Sequence, residues 1–138
     1  MHSGAGISTS SGIPDFRGTN GVWTLEKKGI KPKIDISFVD AKPTKTHMLL
    51  KLMVEKGYVQ YIISQNVDGL HLKSGIDRKY VSEMHGNMFV ENCNVCQKIF
   101  VRDSPVPTVG KKLTGGVCKR KGARPCRKGK LQVSFNTI

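Results

Sequence analysis

Between residues 45 and 56 the apolar side chains Met48, Leu49, Leu52 and Met53 recur at i, i+1, i+4 and i+5, a spacing that predicts a helix with one face turned to a core. Thr44 stands where it can cap the start, and Gly57 where it can stop the helix. The period then changes. Residues 58–64, YVQYIIS, are rich in β-branched and aromatic side chains, which predicts a short buried strand of the kind found in parallel sheets. Residues 1–35 keep no sustained period. A short helix is predicted from near Ser8, interrupted before Pro14 because the residue ahead of a proline avoids helical backbone. Near Asn92 the composition shifts to cysteine and basic residues, which puts a module boundary there.

Composition narrows the class. With 38% hydrophobic residues in 138, the chain can bury one modest core, so a single compact domain with a small appendage is the expected limit. No run reaches the roughly 18 to 20 apolar residues that span a bilayer, and the N-terminus lacks the charged-then-apolar order of a secretory signal. No membrane partner and an intracellular location are therefore expected. The net charge of +13 favours polyanions. It is unevenly placed: after Asp103 there is no acid, while Lys111, Lys112, Lys119, Arg120, Lys121, Arg124, Arg127, Lys128 and Lys130 follow. A solvated basic face and a nucleic-acid or histone-tail contact both fit that run.

Five segments carry candidate chemistry. Gly4-Ala5-Gly6 lets an anion approach the backbone, and Ser8 and Thr9 add hydroxyls, although Thr9 stands where the third glycine of a dinucleotide fingerprint would be. The following loop, bracketed by Gly12 and Gly18, sets Asp15, Phe16 and Arg17 side by side, with Trp23 just beyond. Arg17 offers a planar donor fork, and the two aromatic rings could shield a ligand or simply pack the loop. In Gln65-Asn66-Val67-Asp68-Gly69 the amide and carboxylate supply both donor and acceptor for a carboxamide, or else form an Asx turn. His85, between Met84 and Gly86, is of the residue type that suits a general base, whereas His2, His47 and His71 read as structural. Cys93, Cys96, Cys118 and Cys126, spaced C-x2-C and C-x7-C, read as four thiolate ligands of a structural zinc. Two disulfides would need an oxidising compartment, to which nothing points.

GAGIS followed by GIPDFRG resembles the cofactor loop of the sirtuins, NAD-dependent protein deacylases, and SQNVDG and EMHGN agree with it in order. The wording of GVWTLEKKG, PTKTHM, QNVDGLHLKSG and HGNMFVE most resembles the nuclear sirtuin 6 group, with the sirtuin 7 group as the nearest alternative. The resemblance implies an α/β fold: a partial Rossmann-like parallel sheet with a small four-cysteine zinc-ribbon module. Residues 1–91 would be the NAD-binding and catalytic portion, 92–130 the zinc module and 131–138 a divergent tail. Gly4, Ala5, Gly6, Thr9, Asp15, Phe16, Arg17, Trp23, Gln65, Asn66, Asp68 and His85 would face NAD, with His85 and Asn66 catalytic. Zn(2+) would sit on the four cysteines, although the C-x7-C spacing is short for the group and makes Cys126 the least secure ligand.

The implied reaction uses an acyl-lysine protein, in this group histone tails in the nucleus. The acyl oxygen attacks the nicotinamide ribose, and His85 deprotonates the ribose hydroxyl system. Nicotinamide leaves as the acyl oxygen attacks, the final products are free lysine and O-acyl-ADP-ribose, and mono-ADP-ribosylation needs the same NAD cleavage. Basic residues 111–130 would touch chromatin or DNA. The match covers residues 3 to about 130, and the family's catalytic domain is considerably longer. The first core strand ahead of Gly4 and the sheet half that holds adenosine are expected to be missing. The rival reading is a non-catalytic, zinc-containing chromatin or nucleic-acid binding fragment.

Overall fold

The segments just singled out leave the same edge of one parallel sheet. The computed structural model describes residues 1–30, 37–106, 113–121, 125–126 and 128–133. Strands β1 (His2–Ser3), β2 (Ile62–Ser64) and β3 (Val81–Glu83) lie in the order β1-β2-β3, all parallel. The register sets Ser3 beside Ser64 and Ser64 beside Glu83, so the three carboxyl ends are level. β1 corrects the expectation that no core strand precedes Gly4. Two residues suffice, because Ile63 N–H donates to Met1 at 2.8 Å and Gln65 N–H donates to Ser3 at 3.1 Å. β2 is shorter than residues 58–64. The N–H groups of Tyr58 and Val59 both turn back to the Met53 carbonyl, closing the preceding helix rather than extending the strand.

Helix α1 (Val22–Lys27) follows the aromatic loop, α2 (Lys45–Glu55) matches the predicted helix, and α3 (Leu70–Lys73) is a single turn after QNVDG. Thr44 caps α2 reciprocally with His47, an arrangement that contributes about 1 kcal/mol. Its hydroxyl also donates to the Ile7 carbonyl at 2.9 Å, which pins the helix start to the turn after β1. That anchor sets the rotation of α2 and overturns the predicted core face. His47 and Leu50 are buried, whereas Met48, Leu49, Leu52 and Met53 are 47%, 61%, 49% and 40% exposed. Leu50 packs with Val59, Ile62, Ile76 and Val81 in the main core, and Ile13, Ala41 and Leu70 form a second cluster beneath the loop. The helix predicted near Ser8 is two 3-10 turns, Ala5–Ile7 and Thr9–Ser11, ended by Gly12 at φ 83°. A run of four hydroxyl side chains, which compete for backbone groups, favours such short turns over an α-helix.

His47 and His71 meet edge to face under α2, with ring centroids 4.9 Å apart. Burial, reinforced by the charge of His47, holds His71 down to about 4 from 6.5, against an opposing pull from Asp68. An unfolded chain therefore takes up this proton first. The stabilisation is complete above pH 6.5 and is lost as the pH falls through about 4. Urea midpoints measured at pH 7 and pH 4 check this: the wild type loses stability on acidification, and His71→Gln flattens the loss.

The second sheet is antiparallel. β4 (Val90–Cys93), β5 (Ile99–Val101), β6 (Leu113–Val117) and β7 (Lys130–Val133) run in the order β5-β4-β7-β6. Leu131 and Val133 are buried, so residues 131–133, expected to be tail, belong to this sheet. Alternate apolar side chains on KLQV suffice for that placement. Residues 134–138, together with Lys111, Lys112, Arg124 and Arg127, lie outside the described residues.

Candidate functional site

Because the three parallel strands end level, the segments that leave them converge, as open α/β sheets require. Ala5 and Gly6 follow β1, Gln65, Asn66 and Val67 follow β2, and His85 follows β3. With Asp15, Phe16, Arg17 and Trp23 they line a single cleft of 530 Å³. All the candidate cofactor residues are there except Gly4, Thr9 and Asp68. A larger hollow of 630 Å³, lined by Leu72, Ile76, Phe89 and others, takes only Asp68 from that set. The candidate chemistry therefore belongs to the smaller cleft.

The three exceptions work from behind. The Gly4 carbonyl accepts from Asn66 Nδ2 at 3.1 Å, and the Thr9 hydroxyl donates to the Gly6 carbonyl at 3.0 Å. Asp68 is turned inward and 5% exposed: one oxygen accepts from Ser8 Oγ at 2.7 Å, the other from Leu70 N–H at 2.9 Å. It thus fastens the start of α3, and it also lines a smaller hollow that shares Ala5, Phe16, Asn66 and Val67 with the cleft. Ser8, 1% exposed, also receives Asn66 Nδ2 at 3.2 Å, which holds the Asn66 amide in place. Val67 was missed as a site residue, since nothing in an apolar side chain flags such a role without the fold.

The aromatic loop is built from its own backbone. Val22 and Trp23 N–H donate to the Asp15 and Phe16 carbonyls at 2.9 and 3.0 Å, and Asp15 Oδ1 accepts from Gly18 N–H at 3.1 Å. A Cβ on Gly21 would meet the Phe16 carbonyl carbon at 2.6 Å, so this glycine is demanded by the loop itself. The result stacks Phe16 on Trp23 at 5.1 Å and lays the Arg17 guanidinium 5.5 Å over the indole. Both rings remain about half exposed, at 45% and 47%. They are a wall without a covering.

Gly4 and Gly6 differ from Gly21. A Cβ on either would meet nothing within 4 Å, and neither adopts positive φ. The fold does not need them to be glycine. A ligand that approaches the backbone would, and a pyrophosphate ester with a carboxamide suits a cleft of bare backbone, an amide, a cation and two rings. His85 is exposed at the rim and makes no side-chain hydrogen bond among the described residues, so its ring is open to a ligand.

The four cysteines come together as well. Cys93 closes β4, Cys96 follows on a knuckle whose Gln97 has φ 56°, Cys118 follows β6, and Cys126 precedes β7. Val95 and Cys96 N–H both donate to Cys93 Sγ at 3.4 Å. The four sulfurs lie within 4.8 Å of one another, with Cys93–Cys126 and Cys96–Cys118 both at 3.7 Å. All are free thiols, which sets the disulfide alternative aside. Zn–S bonds of about 2.3 Å in a tetrahedron put sulfurs about 3.8 Å apart, so the donor set fits zinc. Cys126 is as close as the others, despite its short spacing. The Lys98 N–H holds Cys96 down to about 6, while desolvation pushes Cys118 up to about 12. Four thiolates this close repel one another, and a cation at their centre offsets that repulsion.

The chain is similar to known proteins in both sequence and fold. The sequence profile of the Sir2 family matches residues 4–35 and 30–125. The chain is 60% identical over 135 residues to the NAD-dependent protein deacetylase Sirt6 of Drosophila melanogaster, covering 95% of this chain and 42% of that protein. It is 50% identical over 119 residues to the NAD-dependent protein deacetylase SRT1 of Arabidopsis thaliana, covering 86% and 25%. It therefore spans less than half the length of these curated relatives. Among solved structures, a Sir2 homolog–NAD complex superposes with TM-score 0.58 at 27% identity, over 96% of this chain and 54% of the other. A Sir2–p53 peptide–NAD+ complex gives 0.51 at 36% identity, over 72% and 45%. A parallel sheet ending in GAGIS, QNVDG and HGN, a four-thiol cluster and these matches have one common account: the chain belongs to the Sir2 family.

Proposed function

We propose that this chain carries the nicotinamide-side half of an NAD-dependent protein-lysine deacylase site. One observation carries the reading: Gly6, Asn66 and His85, from the ends of three different strands, line the same cleft. NAD would supply the electrophilic ribose carbon to which the acyl oxygen adds. The bare backbone at Gly4–Gly6 and the Arg17 cation would bind its phosphates. Asn66, fixed by Ser8 and Gly4, would orient the carboxamide or ribose, with Gln65 beside it. Phe16 and Trp23 would exclude water from the reacting carbon. His85 would accept the ribose hydroxyl proton, a role its unpaired ring suits. Asp68, held by Ser8 and the start of α3, would stand beside Asn66 in the smaller hollow that adjoins the cleft.

The solved Sir2 complex with a p53 peptide supports a protein-lysine substrate. Histone tails, a nuclear location and mono-ADP-ribosylation extend this reading through the sirtuin 6 and sirtuin 7 type relatives. Lys119, Arg120, Lys121, Lys128 and Lys130, all exposed beside the cysteine cluster, would meet the DNA or chromatin around such a substrate. Residues 92–130 would then be a structural zinc module and residues 1–91 the catalytic portion.

Gly6→Ala separates ligand contact from folding. It is expected to leave the urea midpoint unchanged, because the new methyl meets open space, and to weaken NAD binding about tenfold or more. Calorimetric titration checks both halves of that statement. Nicotinamide release from NAD that requires an acyl-lysine peptide tests the activity itself. Salt-sensitive DNA binding with no NAD binding would favour the non-catalytic rival.

A further inference from the structure

Two residues flank His85 at equal distance and touch each other. Glu83, the last residue of β3, is 3% exposed, and its Oε1 accepts from Asn87 Nδ2 at 2.6 Å. Asn87, also 3% exposed, uses its Oδ1 to accept from Phe89 N–H at 2.8 Å. Its amide lies against α3's start: a Cβ on Gly69 would stand 3.2 Å from both Asn87 Nδ2 and Oδ1. Inside this ring the Gly86 N–H donates to the Glu83 carbonyl at 2.9 Å, and Gly86 takes φ 83°. On either side Met84 N–H is held by Ser64 and Met88 N–H by Val67, at 2.8 and 2.9 Å. His85 is the one residue of the turn left facing the cleft.

A buried carboxylate is costly here. Its nearest cation, Arg78 Nη2, is 3.9 Å away, too far for a hydrogen bond, and that nitrogen has no hydrogen-bond partner. An apolar side chain at position 83 would suit the buried strand better on desolvation grounds. What it could not supply is the acceptor for Asn87. We propose that Glu83 is the positioning residue of His85: through Asn87 it staples the turn that aims the imidazole into the cleft. This rests on the reading of His85 as the proton acceptor.

The staple is also charge-dependent. Burial pushes the Glu83 carboxyl up to about 7, against the pull of Arg78 and the Asn87 amide, with the Asp68 carboxylate adding to the rise. Arg78, from the turn ahead of β3, and Asp68, from the turn ahead of α3, are the charged groups that act on it. Ionisation converts a neutral bond to Asn87 into a charge-assisted one and tightens the turn. It also carries a stability cost. The stabilisation from a neutral Glu83 is complete below 4.5 and lost as the pH rises through about 7.

The test uses the whole zinc-loaded chain, labelled for NMR, as wild type, Glu83→Gln and Glu83→Ala. In the wild type the Asn87 side-chain amide and the Gly86 backbone amide shift with an inflection near pH 7. Glu83→Gln, which keeps an acceptor oxygen, removes the inflection and leaves these resonances close to their wild-type places. Glu83→Ala displaces them. Retention of the inflection in Glu83→Gln would overturn the proposal, as would unmoved Gly86, Asn87 and His85 resonances in Glu83→Ala. If Glu83→Ala fails to fold, the Glu83→Gln titration alone decides. In nicotinamide release, Glu83→Ala lowers kcat about tenfold or more with KM for NAD little changed, and Glu83→Gln restores it. A wild type that binds no NAD would sink the functional reading and leave the NMR result standing.

Discussion

Gly129→Ala is expected to abolish zinc binding by the whole chain. A Cβ at this position would lie 2.1 Å from Cys93 Sγ, 2.8 Å from Cys126 Sγ and 3.1 Å from Cys118 Cβ. None of these is the far end of a flexible side chain, since each belongs to a ligand. Nor can Gly129 retreat, because its carbonyl holds Cys118 N–H at 2.8 Å and Lys130 next to it starts β7. One methyl therefore displaces at least two sulfurs. Structural zinc sites of this kind hold about 10–16 kcal/mol of apparent binding free energy at neutral pH, and much of it is folding energy. The measurement is zinc content by mass spectrometry with amide exchange over β4 to β7. The wild type holds about one zinc per chain and protects these strands, and Gly129→Ala does neither. Cys126→Ser, which removes a ligand without adding bulk, shows the same loss if Cys126 is the fourth ligand. Retained zinc in Cys126→Ser would return that position to doubt.

His85→Ala is expected to lower peptide-dependent nicotinamide release by about 10²–10⁴, the range of a positioned general base. NAD affinity and the urea midpoint change little, because the ring is exposed and makes no hydrogen bond among the described residues. Single-turnover kinetics with calorimetric NAD binding separate the two effects. Turnover equal to the wild type would remove His85 from the reaction.

Residues whose chemistry is carried by type and spacing were legible in the chain: the four cysteines, the glycine turn, QNVDG and HGN. So was α2 from Thr44 to Gly57, since caps and stops are local signals. What was not legible depended on contacts distant in sequence. Met48, Leu49, Leu52 and Met53 look like a core face, but the Thr44–Ile7 bond rotates α2 so that His47 and Leu50 are inside. Asp68 reads as a ligand contact, but its bond to Ser8, sixty residues earlier, is set by the fold alone. β1 was invisible because two residues carry no period. Glu83 has no signal of its own within EMHGN, and only the closure of the turn by Asn87 gives it a part.

The central claim is that the cleft at the carboxyl ends of β1, β2 and β3 binds the nicotinamide side of NAD. Its most direct test is NMR titration of the zinc-loaded chain with NAD up to about 1 mM, the upper end of ordinary enzyme affinities. Saturable shifts at Ala5, Gly6, Asn66 and His85, with Leu72 and Ile76 across the sheet unmoved, are the predicted result. An unchanged spectrum at those four residues, or shifts confined to the larger hollow, would contradict it.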